Sequence, residues 1–363
     1  MLSATTQYIV FYNSLLLIVL FTSINFLNKI NKYIPNHTKD GRQAILLLAF
    51  IIIIIAWRDW SSPLFGDSKV YGLKISQAMS HSRIKLWNDW GFNWITLMWG
   101  KLKLSQELFF FFTASAYCIP LYIAARKLTP NYTFLFLLFC ATSLSFYAFG
   151  VNGIRNGMAT SLVILAMTYK DKILILISLL LLGLSLHNSI IIPIGAILIT
   201  LFYKKTPIYF WIWIVSIFVS LFSGKYFNNL FLKVNFISES ASGYLGKGVD
   251  LQYIKFSNYG FRWDFLLYSM APIVFGYYII QIKKISDDFY TFYLNTYLLC
   301  NSIWILVISS NFSNRIAYLS WFMMPILFVY PLVNFTCFKS KNLAISSVLF
   351  AYYAFTYFMW VVK

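Results

Sequence analysis

Three ionisable side chains stand where an apolar chain has reason to avoid them: Arg155, His187 and Arg315. Arg155 lies in NGIRNGMATSLVILAMTYKDK (152–172), at the lip of about four turns of apolar helix. A neutral residue would enter a membrane more cheaply there, so an arginine at that edge is a functional candidate. The plainer alternative is an arginine that snorkels to the headgroups. Gly153 and Gly157 form a GxxxG around it, a motif that lets two backbones approach. The two readings are compatible. Asn152 and Asn156, four apart, are expected on one face beside Arg155, giving a donor-rich surface at a helix N-terminus, which favours anions. A diphosphate would suit it.

The elements that must position these residues are membrane helices. The 363-residue chain is 60% hydrophobic and 20% aromatic with 11% charged residues, and its mean hydropathy is +0.70. No soluble core requires such a composition. Apolar runs long enough for helices that satisfy their own backbone in lipid recur along the whole length. About twelve spans are expected, at 8–26, 43–60, 108–125, 132–149, 154–169, 173–186, 190–203, 208–222, 265–282, 289–309, 316–338 and 343–362. The first lacks a basic leader and a small-residue cleavage signature, so it is expected as a retained helix. The whole of 1–363 is read as a single integral membrane domain of all-α class.

A net charge of +18 invites a nucleic-acid partner, but its distribution argues against one. Basic residues cluster in alternate connections: Lys29 to Arg42, Arg126 and Lys127, Lys170 and Lys172, Lys204 and Lys205, Lys283 and Lys284, Lys339 and Lys341. This positive-inside pattern places those six loops in the cytoplasm and both termini outside. Arg155, His187 and Arg315 then all edge short outward turns. The four cysteines fall within expected spans, so neither a disulfide framework nor a thiolate metal site is indicated.

Two outward segments are long, 61–107 and 223–264. In the first, Val70, Leu73, Ile75, Ala78 and Met79 recur at helical spacing with Lys69, Lys74 and Arg83 available to headgroups, the pattern of an interfacial helix over 68–82. Trp87, Trp90, Trp94 and Trp99 fit an aromatic belt. The second interleaves Tyr226, Tyr244, Tyr253, Tyr259 and Trp263 with small polar residues. Sugar rings have one apolar face and a hydroxyl edge, so such a segment suits glycan binding as a lid over a membrane-level cavity.

GDSKVY (66–71), WGFNWI (90–95), GIRNGMA (153–159), the histidine of LSLHNSIIIP (184–193), GFRWDF (260–265) and NRIAYLSWFMMP (314–325) resemble, in this order, the EpsG-like family of Wzy-type polysaccharide polymerases. The resemblance runs from about Trp57 to Pro325. In the family pattern an acidic residue precedes the glycine–phenylalanine pair; here Asp89 stands two residues before Gly91. The resemblance implies a GT-C-like multi-helix fold. It also implies an enzyme that joins oligosaccharide repeats carried on undecaprenyl diphosphate at the outer face of the bacterial inner membrane.

In the reaction so implied, a hydroxyl of one lipid-linked repeat attacks the anomeric carbon of the growing chain and displaces undecaprenyl diphosphate. The site must mainly stabilise the departing charge and position two large substrates. Arginine binds phosphate oxygens bidentately, which makes Arg155, Arg262 and Arg315 the diphosphate candidates. Histidine titrates in the range a general base needs, so His187 is the candidate base and Asp67 its competitor. A lone histidine near a helix end is otherwise an ordinary hydrogen-bonding residue. Tyr71, Asn156, Tyr244, Tyr259 and Tyr318 are the expected glycan contacts. No histidine–carboxylate spacing of a metal site is present, and no metal or cofactor is expected. The implied partners are undecaprenyl-diphosphate-linked oligosaccharides, membrane lipids and a chain-length regulator of the pathway. A lipid-linked oligosaccharide flippase and a ligase that moves the finished glycan to another acceptor remain as alternatives.

Overall fold

The structure, a computed structural model, describes residues 3–28, 37–80, 88–232, 260–310 and 313–362. Tyr244, Tyr259 and most of the 223–264 lid lie outside the described residues. Among the described residues there is no β-strand, and the regular structure is helix. Six stretches among the described residues are long and apolar enough to cross a membrane: α1 (Ala4–Asn28), α5 (Gln106–Leu128), the first part of α11 (Thr206–Leu232), α12 (Trp263–Tyr277) with the π-helical turn that follows it, the pair α14 (Ser313–Trp321) and α15 (Met324–Asn334), and α16 (Lys341–Val361). The protein is therefore a polytopic, all-helical membrane protein. Shorter apolar helices, α8 (Ile154–Met167), α9 (Ile173–Leu186) and α10 (Ile191–Phe202), fall on three of the expected spans.

Two expected spans are broken. Residues 132–149 form α6 (Thr133–Ala141) and α7 (Phe146–Val151). At the break the Thr142 hydroxyl donates to the carbonyls of Leu138 and Phe139, the side-chain competition with the helix ladder that Ser and Thr offer. Residues 316–338 are interrupted between α14 and α15, next to Pro325, which has no N–H to continue the ladder back into α14.

The chain divides into two compact units, Met1–His187 with Pro325–Lys363, and Asn188–Met324. In the first unit α8 is the central helix, packed on α5 and α9 and buried along almost its whole length. Its apolar surface all round is what such a position demands. Around it, α2 (His37–Ala56) packs on α5 and α6, α1 packs along α16, and α3 (Gly66–Met79) pairs with α4 (Trp90–Lys101), which rests on α9. Helix α3 occupies the stretch expected as an interfacial helix. In the second unit α13 (Asp288–Leu306) is central, against α10, α11, α12 and α14. Polar side chains join these helices: Thr200 with Thr296 at 2.8 Å, and Trp213 Nε1 donating to Asn301 Oδ1 at 2.8 Å while Asn301 Nδ2 donates to Ser320 at 3.0 Å. Such pairs hold helices together where lipid removes the hydrophobic drive between them.

Candidate functional site

In the first unit α3, α4, α8 and α9 meet around one carboxylate, that of Asp89. Arg155, in the first turn of α8, donates from Nη1 to Asp89 Oδ2, and His187, which ends α9, places Nδ1 3.0 Å from the same oxygen. Arg155 Nε donates to the Tyr71 hydroxyl of α3 at 2.8 Å, and the Tyr71 ring meets Phe92 of α4 edge-on at 5.0 Å. The side chain of Asp89 is 5% exposed, that of His187 17% and that of Arg155 29%. The carboxylate is thus the buried pivot of a cluster that opens toward the arginine and the histidine.

Local sequence explains how Asp89 comes to be there. Asn88 and Asp89 have φ of 44° and 46°, the left-handed region that only Asn and Asp among residues with a Cβ visit with any ease. Asn93 Nδ2 donates to the Asn88 carbonyl at 2.8 Å and closes the turn. Two consecutive residues of this kind cost on the order of 1 kcal/mol or more each and persist where neighbours over-determine them. Here the neighbour is α9. A Cβ on Gly91 would strike the hydroxyl and backbone of Ser185, so the glycine lets the start of α4 lie directly on the end of α9 and brings Asp89 beside His187.

The protonation pattern follows from the donors. The oxygen of Asp89 that accepts from Arg155 also faces His187, so the shared proton lies on Nδ1 and Nε2 is the ring nitrogen not engaged with Asp89. This is the arrangement of an imidazole held in one orientation by an acidic neighbour. Burial pushes the Tyr71 hydroxyl up to about 12, with Arg155 pulling the other way and Asp67 adding to the rise. Tyr71 therefore stays neutral and accepts from the guanidinium. Burial, and then the charge of Arg155, lowers the ammonium of Lys74, one turn along α3, while Asp89 raises it.

Each expected site residue within the described residues now has a place. Arg155, His187, Tyr71 and Asp67 gather in the first unit, with Asp67 near enough for its charge to reach Tyr71 and Arg155. The bidentate phosphate grip expected of Arg155 is not what its fork makes here, since Nε and Nη1 are both spent on protein. The donor-rich asparagine face does not form either. Asn152 reaches back to the Leu64 carbonyl at 3.4 Å, and Asn156 is buried within the packed surface of α8. Tyr71 is likewise buried and tied to Arg155, so its ring is no open platform for a sugar. The GxxxG does pack: a Cβ on Gly157 would meet the Phe149 backbone of α7.

In the second unit Arg262 is held bidentately by Asp264, Nε to Oδ1 at 2.9 Å and Nη2 to Oδ2 at 2.5 Å, with its guanidinium 3.7 Å from the Phe265 ring centroid. Arg315 and Tyr318 share α14, half-buried, one turn apart.

Two further residues matter that sequence reasoning passed over. Asp89 is one: in the sequence it stands out only for its place before Gly91, with no role attached, and its further signal is the Asn-Asp pair ahead of a helix. Arg58, just past α2, is the other. It is 1% exposed and donates to Ile55 O at 2.6 Å, to Gly150 O at 3.3 Å and to the Ser68 hydroxyl at 3.0 Å, and Ser68 in turn donates to Val151 O. Its guanidinium lies 4.3 Å from the Phe110 ring centroid. A cation thus sits on the carbonyl ends of α2 and α7, where helix dipoles favour it, and fastens the first turn of α3 to them. Tyr71 stands one turn further along that helix.

A multi-pass helical membrane protein with a buried carboxylate, arginine and histidine at converging helix ends is the class these features define. The model of the EpsG family matches residues 69–363, and the chain belongs to that family. EpsG-like proteins are related to Wzy-type polysaccharide polymerases. The match starts twelve residues after the resemblance seen in the sequence and continues past Pro325 to the last residue. No curated protein matches the chain, and no solved structure does.

Proposed function

We propose that the protein is a metal-independent glycosyltransferase of GT-C-like architecture that polymerises lipid-linked oligosaccharide repeats. It transfers an undecaprenyl-diphosphate-linked glycan onto the repeat of a second lipid at the outer face of the inner membrane. The observation that carries the reading is Asp89 bridging Arg155 and His187. His187 Nε2 takes the proton of the acceptor hydroxyl as that oxygen bonds to the anomeric carbon, and the anomeric bond to the diphosphate breaks with its electron pair. Asp89 holds the imidazole and steadies the imidazolium that results. Arg155 fixes Asp89 and Tyr71 and offers its remaining Nη2 and its charge to the departing diphosphate. Asp67 contacts sugar hydroxyls. Counting α6 with α7 and α14 with α15 as single crossings among the described residues is compatible with twelve spans, and the alternation of basic loops supports an outer site. Basic residues stand opposite site residues on two helices of the first unit, Lys39 on α2 against Arg58 just past its other end and Lys172 before α9 against His187 after it.

The glycan ladder of cells tests this directly. Cells with His187→Ala at wild-type protein levels should cap their acceptor with a single repeat. Cytosol-facing lipid-linked repeats would instead mark a flippase, and full-length glycan left on undecaprenyl diphosphate would mark a ligase. The purified enzyme should extend chains in EDTA, and activity restored only by magnesium or manganese would overturn the metal-free chemistry.

A further inference from the structure

At the end of the first unit opposite to the Asp89 cluster, α1 and α2 part company. Helix α1 follows α16, whereas α2 follows α5 and α6, and between them runs a groove of about 750 Å³ floored by α6. That volume is in the range of pockets that hold a small molecule, roughly 300–1,000 Å³. Its walls are apolar, with Leu17 and Phe21 from α1 facing Leu46 and Phe50 from α2. Its mouth is polar and includes Asn25, Lys39 and Gln43. From Lys39 to Phe50 the helix climbs about 16 Å at ~1.5 Å per residue. The hydrocarbon of one leaflet is about 15 Å deep, half of a ~30 Å core.

The charge at the mouth selects the headgroup. Asp40 lines the groove but commits its carboxylate to the N–H groups of Thr133 at 2.7 Å and Phe134 at 3.3 Å, capping α6. Lys39 lines it as a cation, and the Lys341 ammonium lies 5.3 Å from the centroid of Tyr132, another lining ring. We propose that this groove is a binding site for an anionic glycerophospholipid of the leaflet on the basic-loop side, one acyl chain lying between α1 and α2 and the phosphate at Lys39. The lipid wedges apart two helices that touch little of each other. The proposal is independent of the polymerase reading.

The full chain, reconstituted in vesicles of phosphatidylglycerol and phosphatidylcholine with identical acyl chains, is extracted in mild detergent and its retained lipid counted by native mass spectrometry. One phosphatidylglycerol per chain should be kept in preference. Lys39→Gln should weaken that preference about fivefold, the worth of one basic residue at an anionic membrane surface. Leu46→Trp, which fills the groove, should remove the retained lipid, whereas Leu267→Trp at another exposed apolar position should not. A photoreactive phenylalanine derivative at Phe21 should cross-link to lipid acyl chain, and this readout does not depend on whether Leu46→Trp folds. Equal retention of the two lipids, retention untouched by Leu46→Trp, or cross-linking of position 21 to residues 29–36 of the same chain would each overturn the site.

Discussion

Replacing Asp89 by asparagine removes the pivot of the cluster and almost no volume. One oxygen of Asp89 accepts from both Arg155 and His187, and an amide cannot serve both as an anion does. A hydrogen bond to a charged group contributes ~1.5–3 kcal/mol, so the loss at His187 alone, taken as about 2 kcal/mol, is roughly 30-fold in rate at ~1.36 kcal/mol per tenfold. The Arg155 contact adds less than a fully buried pair would, because that side chain is 29% exposed. The expected fall in chain extension is therefore roughly 30- to 100-fold. The assay is repeat addition by purified protein in vesicles, at equal amounts of folded enzyme, resolved on a glycan ladder. Because Asp89 acts through the imidazole, Asp89→Asn in a His187→Ala background should cost little more. Asp89→Asn within about twofold of wild type, or two losses that multiply in the double variant, would refute the reasoning.

Arg155→Lys keeps a charge able to snorkel but cannot reach Asp89 and the Tyr71 hydroxyl together; a loss of about 2 kcal/mol, roughly 30-fold in extension rate, is expected at normal expression, and near wild-type chain length would return Arg155 to an anchoring role. Arg58→Met strips the carbonyls of Ile55 and Gly150 and the Ser68 hydroxyl of their donor, so the purified variant should melt at lower temperature and lose extension activity; an unchanged melting point would show that the guanidinium does not hold α3. Cysteines introduced at Asn152, Asn188 and Ser313 should label from outside the cell and those at Lys204 and Lys341 from the cytoplasm, and the reverse pattern would overturn the site together with the topology.

Local composition made the helical membrane class legible, because an apolar run of sufficient length has few other ways to satisfy its backbone in lipid. The limits of α9 and the start of α8 coincide with those read from the sequence, since Lys172 and His187 on one helix and the glycines before Arg155 are local punctuation. The interruptions between α6 and α7 and between α14 and α15 were not legible. Ser, Thr and Pro are tolerated inside membrane helices as often as they break them, and only the surrounding packing decides.

The candidate site divides along the same line. Residue type alone singled out Arg155 and His187, because charge at the rim of apolar helices is costly enough to need a reason, whereas Tyr71 and Asp67 came with the resemblance carried by GDSKVY. Their partners were hidden. Asp89 lies 66 residues from Arg155 and 98 from His187 along the chain, and no periodicity connects positions so far apart. Likewise nothing in the sequence distinguishes an arginine whose fork is open to a ligand from one whose fork is closed on Asp89 and Tyr71, or an asparagine facing a substrate from Asn156 packed inside α8. A side chain's type is a property of the residue. Its direction and its partner are set by which helix ends meet, and that meeting depends on contacts such as Gly91 on Ser185 and Arg58 on the ends of α2 and α7, which exist only once the chain has folded.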